Sequence, residues 1–232
     1  MRPGSLLLGA AAAWGAYAWG AHLLTLGCVW RGPRGGGRVA LTFDDGPDPA
    51  WTPRVLDLLG ERGVRATFFL VGQRAARSPG TVRRIAAEGH EVANHGWSHR
   101  SLWLCGPRRT RIEIGRAHDL LTGLAGRAPR YFRPPWGMVN MAMFPILRRY
   151  GARCVLWSIQ PEGLRPRAAD LQAAHVLRRA RPGAIVDLHD AEGTPDAPAR
   201  LLAALPAMID GLRGRGLALV TVGELVGGAP GS

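Results

Sequence analysis

Val39-Ala40-Leu41-Thr42-Phe43-Asp44-Asp45-Gly46-Pro47 is the stretch on which the reading of this chain turns. A run of apolar and β-branched residues, suited to a strand, stops at two carboxylates, and Gly-Pro then breaks the backbone pattern. Further along, His95-Gly96-Trp97-Ser98-His99 places two histidines four apart, just after another short run, Glu91-Val92-Ala93-Asn94. The four side chains offer two nitrogen ligands and one carboxylate for a divalent metal, with a second carboxylate to spare. Catalytic zinc sites commonly use three protein ligands and leave a further position for water. Each half alone has an ordinary reading: His-x3-His arises by chance, and Asp-Asp-Gly-Pro is more often a solvated turn. The combination points to a metal hydrolase.

The chain has 232 residues, 47% of them hydrophobic, enough for one sizeable domain with a proper core. All 30 basic residues are arginine, and the formal charge is +13. The arginines are scattered along expected helices and form no basic block, so nucleic acid is not an expected partner. A location near a membrane or an anionic cell-wall polymer accounts for the charge equally well. Cys28, Cys105 and Cys154 lack metal or redox spacing; a Cys105–Cys154 pair is open, but the fold needs no disulfide.

Ser5–Trp30 contains no formally charged residue and is long enough to span a bilayer. Residues 1–30 therefore read as an uncleaved hydrophobic anchor helix, with a cleaved signal peptide as the alternative; 5–30 would meet the membrane. Arg31, Arg34 and Arg38 after the run lean toward a cytoplasmic domain, whereas the expected role points outside the cytoplasm. The expectation is an anchored extracytoplasmic domain, secreted if the segment is cleaved. Residues 31–37 form a Gly-rich linker, and 38–228 form the domain.

Within the domain, strand-like runs at 38–43, 66–71, 91–94, 130–133, 153–157, 184–188 and 217–221 alternate with helical periodicity at 52–62, 80–88, 109–125, 140–150, 168–181 and 198–214. That alternation predicts a parallel α/β fold. Asp44-Asp45 follows the first strand and His95 to His99 the third. Arg133-Pro134-Pro135-Trp136-Gly137 follows the fourth and His189-Asp190 the sixth. The C-terminal ends of barrel strands meet on one rim, so four separate strand ends would deliver these groups to one face.

These motifs resemble the polysaccharide deacetylases that share the NodB homology domain, carbohydrate esterase family 4. Thr42-Phe43-Asp44-Asp45-Gly46-Pro47 resembles the family's first motif and Asn94-His95 through Ser98-His99 its second. Phe132-Arg133-Pro134-Pro135-Trp136-Gly137 is similar to the third, with Trp where Tyr is more usual, and Leu188-His189-Asp190 is similar to the fifth. The resemblance runs from about Arg38 to Leu225 and implies a distorted barrel of about seven strands. It implies that Asp45, His95 and His99 hold a divalent metal, zinc first with cobalt, nickel or manganese as alternatives. Asp44 would be the general base, paired with Arg133; the backbone N–H of Trp136 would bind the oxyanion; His189 would be the general acid.

The fourth motif departs. The family's Asp-Trp is replaced by Gly163-Leu164, so the aspartate that orients the catalytic histidine is missing. Asp187 or Glu162 is expected to substitute, and strand alternation favours Asp187, two residues before His189. The bland reading of Asp187 is a salt bridge inside the barrel mouth. His90 reads as a helix-end residue, His118 and His175 as mid-helix residues, and Trp51 and Trp103 as core packing ahead of a sugar platform.

The expected activity is hydrolysis of the acetamide of N-acetylated amino sugars in a cell-wall or lipid-linked glycan. The alternatives are an amide or formamide hydrolase on a non-polysaccharide substrate and a sugar-binding pseudoenzyme; the intact motif residues argue against the last. Nothing in the sequence fixes an oligomeric state.

Overall fold

The central strand β2 (Arg38–Asp44) is buried along nearly its whole length and alternates between two different environments. In the computed structural model, which describes residues 9, 11–18, 20, 27–162, 167–191 and 196–227, Val39, Leu41 and Phe43 point outward into an apolar layer shared with helices. Ala40 points inward, among Phe69, Ala93, Tyr131, Val155 and Ile185. By the same two-residue period Thr42 and Asp44 follow Ala40 on the inner side, so the barrel interior turns polar toward the strand's C-terminal end.

The strands beside it repeat this pattern. They are β3 (Thr67–Leu70), β4 (Glu91–Asn94), β5 (Tyr131–Phe132), β6 (Arg153–Val155) and β7 (Ile185–His189). With β1 (Cys28–Val29) the path is β1-β6-β5-β4-β3-β2-β7, and β8 (Ala218–Val220) pairs with the start of β2. Every laddered pair is parallel. Helices α1 (Thr52–Glu61), α2 (Gly72–Arg77), α3 (Pro79–Ala87), α4 (Pro107–Ala125), α5 (Met143–Arg149), α6 (Ala169–Arg179), α7 (Ala197–Gly214) and α8 (Val222–Val226) complete the chain. Leu56 of α1 and Leu201, Leu205, Met208 and Ile209 of α7 cover the outer face of β2 and β7. The outcome is the parallel α/β fold expected from the alternation, curled into the distorted barrel that the family resemblance implies.

Three elements are additional to those expected, helices α2 and α8 and strand β1. Helix α2 was hidden because Gly72-Gln73-Arg74-Ala75-Ala76-Arg77 is too short to show a period. Cys28–Val29, assigned from sequence to the hydrophobic segment, is a strand of the barrel sheet. The domain boundary therefore moves upstream of 38, and the linker residue Arg31 bridges antiparallel to Ala184. β1 lies in the seam between β6 and β7: Leu156 N–H donates to Val29 O (2.8 Å), and Gly32 N–H donates to Gly183 O (2.8 Å).

Residues 11–18 are helical. They lie against the domain, with Trp14 Nε1 donating to Trp103 O (3.0 Å) and Tyr17 Oη to Cys105 O (3.0 Å). Among the described residues no helix is long and apolar enough to cross a membrane. Residues 1–8, 10, 19 and 21–26 of the expected anchor lie outside the described residues.

Candidate active site

Register brings the first groups together. Asp44 on β2 pairs with His189 on β7, and Thr42 pairs with Asp187. All four are inward positions, so two neighbouring strands deliver two carboxylates and an imidazole to one mouth. Asp45 follows with a left-handed backbone (φ 72°), as do His99 (54°) and Trp136 (56°). Among the described residues these are three of the four non-glycine residues at positive φ, and such strain tends to be held where function requires it. Gly46 cannot carry a side chain: a Cβ there would lie 2.6 Å from both carboxylate oxygens of Asp190.

His95 and His99 belong to a loop, not a helix, and the turn is made by Gly96 at φ 84°. Buried polar groups pin that loop. Asn94 Oδ1 accepts from Gly96 N–H (2.8 Å), while Glu113 of α4 accepts from Ser98 N–H and Ser98 Oγ (2.8 Å each). Sequence reading missed Glu113, a lone carboxylate in a helix whose partner is fifteen residues upstream.

Asp45, His95 and His99 converge. Asp45 Oδ1 lies 2.8 Å from His99 Nε2 and 3.4 Å from His95 Nε2. That oxygen is buried, yet no hydrogen bond of good geometry satisfies it, as expected of an atom turned to a common centre with two imidazole nitrogens. His95 Nδ1 sits 2.7 Å from Arg133 O. A carbonyl can only accept, so Nδ1 carries the hydrogen and Nε2 keeps its lone pair facing the cluster. Burial opposes a charged Asp45, but the two imidazoles outweigh it and hold the carboxyl well below the ordinary range. Burial likewise opposes a charged His95, and the Asp44 and Asp45 carboxylates reverse that, raising its proton affinity. The donor set fits a divalent cation: two nitrogens and one oxygen, already oriented, in a place that otherwise attracts a proton.

Arg133 organises the opposite wall. Its side chain is fully buried, and a buried guanidinium needs acceptors in several directions. Nη1 donates to Asp44 Oδ1 (2.6 Å), Thr42 Oγ1 (2.9 Å) and Asp187 Oδ1 (3.1 Å). Nη2 donates to Leu156 O (3.1 Å), Nε contacts Val155 O (3.3 Å), and the group lies 4.1 Å over the Phe69 ring.

His189 Nδ1 lies 2.7 Å from Glu162 Oε2. The expected replacement, Asp187, is turned to Arg133 instead; the salt-bridge reading of Asp187 describes its contact, and Glu162 takes the histidine. Both Asp187 and His189 do face the cavity, as alternation requires. Burial works against a charged His189, but Asp187 and the Glu162 hydrogen bond raise its pKa well above the usual value. Burial, then the neighbouring Asp44 charge, pushes the Asp187 carboxyl up to about 7.

Around these groups is a cavity of about 230 Å³, also lined by Trp136, Trp157 and Gln160. Trp136 is exposed, with its ring 4.5 Å from that of His99. Sequence reading named neither Trp157 nor Gln160 as lining residues. Trp51 carries Arg54 over its ring (5.0 Å) and does not line the cavity; neither does Trp103. His90 is a core residue whose Nδ1 accepts from Ala66 N–H (3.2 Å), and His118 packs on Tyr150 (4.5 Å).

A parallel barrel whose mouth holds an Asp-His-His cluster between a buried Asp-Arg pair and a Glu-bound histidine defines a class of hydrolytic α/β barrels. Residues 31–155 match the family model described as polysaccharide deacetylase, and the chain belongs to that family. Two peptidoglycan-N-acetylglucosamine deacetylases of Bacillus cereus are similar to it, each 37% identical. One match covers 85% of this chain and 92% of the relative; the other covers 71% of this chain and only 60% of the relative. A crystal structure of a peptidoglycan N-acetylglucosamine deacetylase in complex with 4-naphthalen-1-yl-N-oxidanyl-benzamide superposes with a TM-score of 0.82. It is 33% identical, with 88% of this chain and 94% of that one covered.

Proposed function

We propose that this chain removes the acetyl group from N-acetylglucosamine units of a cell-wall glycan, peptidoglycan foremost, by metal-assisted hydrolysis. One observation carries the reading: the Asp45-His95-His99 cluster lies in the same cavity as two differently held proton-handling groups, Asp44 and His189. Asp45, His95 and His99 would hold a divalent cation, zinc first with cobalt, nickel or manganese as alternatives. Bound there, it would polarise the acetamide carbonyl and acidify an attacking water.

The protein's own groups supply the rest. Asp44 gives one oxygen to Arg133 and keeps Oδ2 to take the proton of the attacking water. Main-chain N–H of Trp136 donates to the developing oxyanion, a contribution typically about 2.7–4 kcal/mol per donor. His189, charged and fixed at Nδ1 by Glu162, gives its Nε2 proton to the departing amine. A cavity of about 230 Å³ is smaller than most small-molecule pockets, so it suits the acyl end of a ligand while the polymer rests on the rim beside Trp136.

A second reading, an amide hydrolase on a small non-polymeric substrate, is favoured by one feature: Gly163-Leu164 removes the aspartate and aromatic pair that the family motif places there. The uncharged run that starts at Ser5 and precedes β1 supports an extracytoplasmic location, with that part acting as anchor or cleaved signal.

The experiment is acetate and formate release from peptidoglycan, chitooligosaccharides, lipid-linked amino sugars and small amides, with and without chelator. The expected result is acetate from a glycan, abolished by chelator and restored by zinc. Chelator-insensitive release would overturn the metal, and release confined to small amides would overturn the substrate class.

A further inference from the structure

Two cysteines that are far apart in sequence meet where the barrel closes. Cys28 of β1 is the register partner of Cys154 of β6 in a parallel ladder. Such partners project to the same face and sit about 4.8 Å apart, inside the Cα separation of about 4.4–6.8 Å that a disulfide spans without backbone movement. Both turn outward, opposite to Val29 and Val155, into the apolar layer beneath Met143, Ile146 and Leu147 of α5. Cys28 is half-exposed and Cys154 is buried, and both are free thiols. A cleft of about 370 Å³ beside them, bounded by Gly27, Phe144, Arg148 and Cys154, opens a path for an oxidant. Cys105 is elsewhere, buried with its Sγ 3.4 Å from Ser101 O.

We propose that Cys28 and Cys154 are a disulfide-forming pair that staples β1 to β6 and so locks the barrel seam, leaving Cys105 as a thiol. β1 is the filler of that seam, touching β6 through Val29 and leading to the Arg31 bridge beside β7. The reaction is thiol–disulfide exchange with an oxidant of the disulfide class. The Cys28 thiolate attacks the oxidant and expels one thiolate. Cys154, once deprotonated, attacks Cys28 Sγ and expels the second. Two protein thiols become one Sγ–Sγ bond, and the oxidant's disulfide becomes two thiols. The order follows from the environments: the Cys154 hydrogen bond pulls the Cys28 thiol down, whereas burial pushes Cys154 well up. Closing a loop that contains β2 to β5 restricts the unfolded chain strongly, so the bond is expected to stabilise.

The test uses the purified full chain and oxidised glutathione. Expected are the loss of two of three alkylatable thiols, a fall in intact mass by two hydrogens, and a cross-linked peptide containing Cys28 and Cys154. The thermal midpoint should rise by several degrees and return on reduction. Cys105→Ser should behave identically, and Cys28→Ser, a mild change at a half-exposed site, should form no cross-link and show no reductant-sensitive midpoint. Three thiols retained after oxidation, a glutathione adduct stopping at Cys28, a bond involving Cys105, or disulfide-linked dimers would each overturn the proposal.

Discussion

The two halves of the barrel mouth are built by different means. On one side, Asp45, His95 and His99 come from two loops whose backbone is bent by left-handed residues and pinned by Asn94 and Glu113. The three ligands sit in two short sequence motifs, with His95 oriented by Arg133 O and the loop held by Glu113 of α4. On the other side, His189 depends on Glu162, which comes from the segment after β6 that the Ile159–Val186 bridge lays beside β7. The first half draws its ligands from short motifs on a strained backbone; the second takes its histidine and that histidine's partner from segments far apart in the chain. Substitutions should therefore separate into those that remove the metal and those that only mistune a proton.

The sharpest separation lies between adjacent carboxylates. Asp44→Asn should keep metal, measured by elemental analysis of the dialysed protein, and lose activity by about 10²–10⁴-fold, the usual weight of a general base. Asp45→Asn should lose both metal and activity. If the two variants lose metal equally, the assignment of base and ligand along Asp44-Asp45 is wrong.

A smaller effect is expected on the assembled half. His189 must be protonated when the amine departs, and its raised pKa sets the basic limb of the pH–rate profile. Glu162→Gln removes the hydrogen bond and its charge, so the basic limb should move to lower pH and kcat should fall by about 10–100-fold, the scale of losing an orienting partner. Asp187→Asn should also lower the limb through its charge while leaving the Nδ1 contact intact, with a lesser fall in kcat. A basic limb that stays in place in Glu162→Gln would remove Glu162 from the mechanism.

The smallest effect is on stability and concerns Asp190, which touches neither half directly. It is fully buried, bonded to Thr52 and packed on Gly46. Burial pushes its carboxyl up to about 7. A carboxyl raised in the folded state binds its proton there more tightly than in the unfolded chain. Its contribution is thus complete below the ordinary aspartate pKa, about 4, and is lost as pH rises through about 7. Metal-free protein should lose stability across that window in denaturant titrations, and Asp190→Asn should flatten the slope. An unchanged slope would place the pH dependence elsewhere, with Asp187 the next group to examine.

The sequence by itself determined the strand order of chemistry: Asp44-Asp45, His95 to His99, Arg133 to Gly137 and His189 each end a periodic run. Those periods survive because each strand is buried on both sides, so its outward residues must be apolar while its inward ones need not be. Glu113, Trp157 and Gln160 were not legible, since no local pattern marks a helix carboxylate that reaches a distant loop or a ring that lines a distant cavity. Alternation correctly turned Asp187 inward and brought a carboxylate oxygen within 4.8 Å of a His189 ring nitrogen, but that carboxylate is committed to Arg133. Only the tertiary structure put Arg133 against Asp187 and freed Glu162 for the histidine. The same holds for β1: two residues at the edge of an apolar segment carry no strand signal of their own. They become a strand because the seam between β6 and β7 leaves backbone groups that must find hydrogen-bond partners.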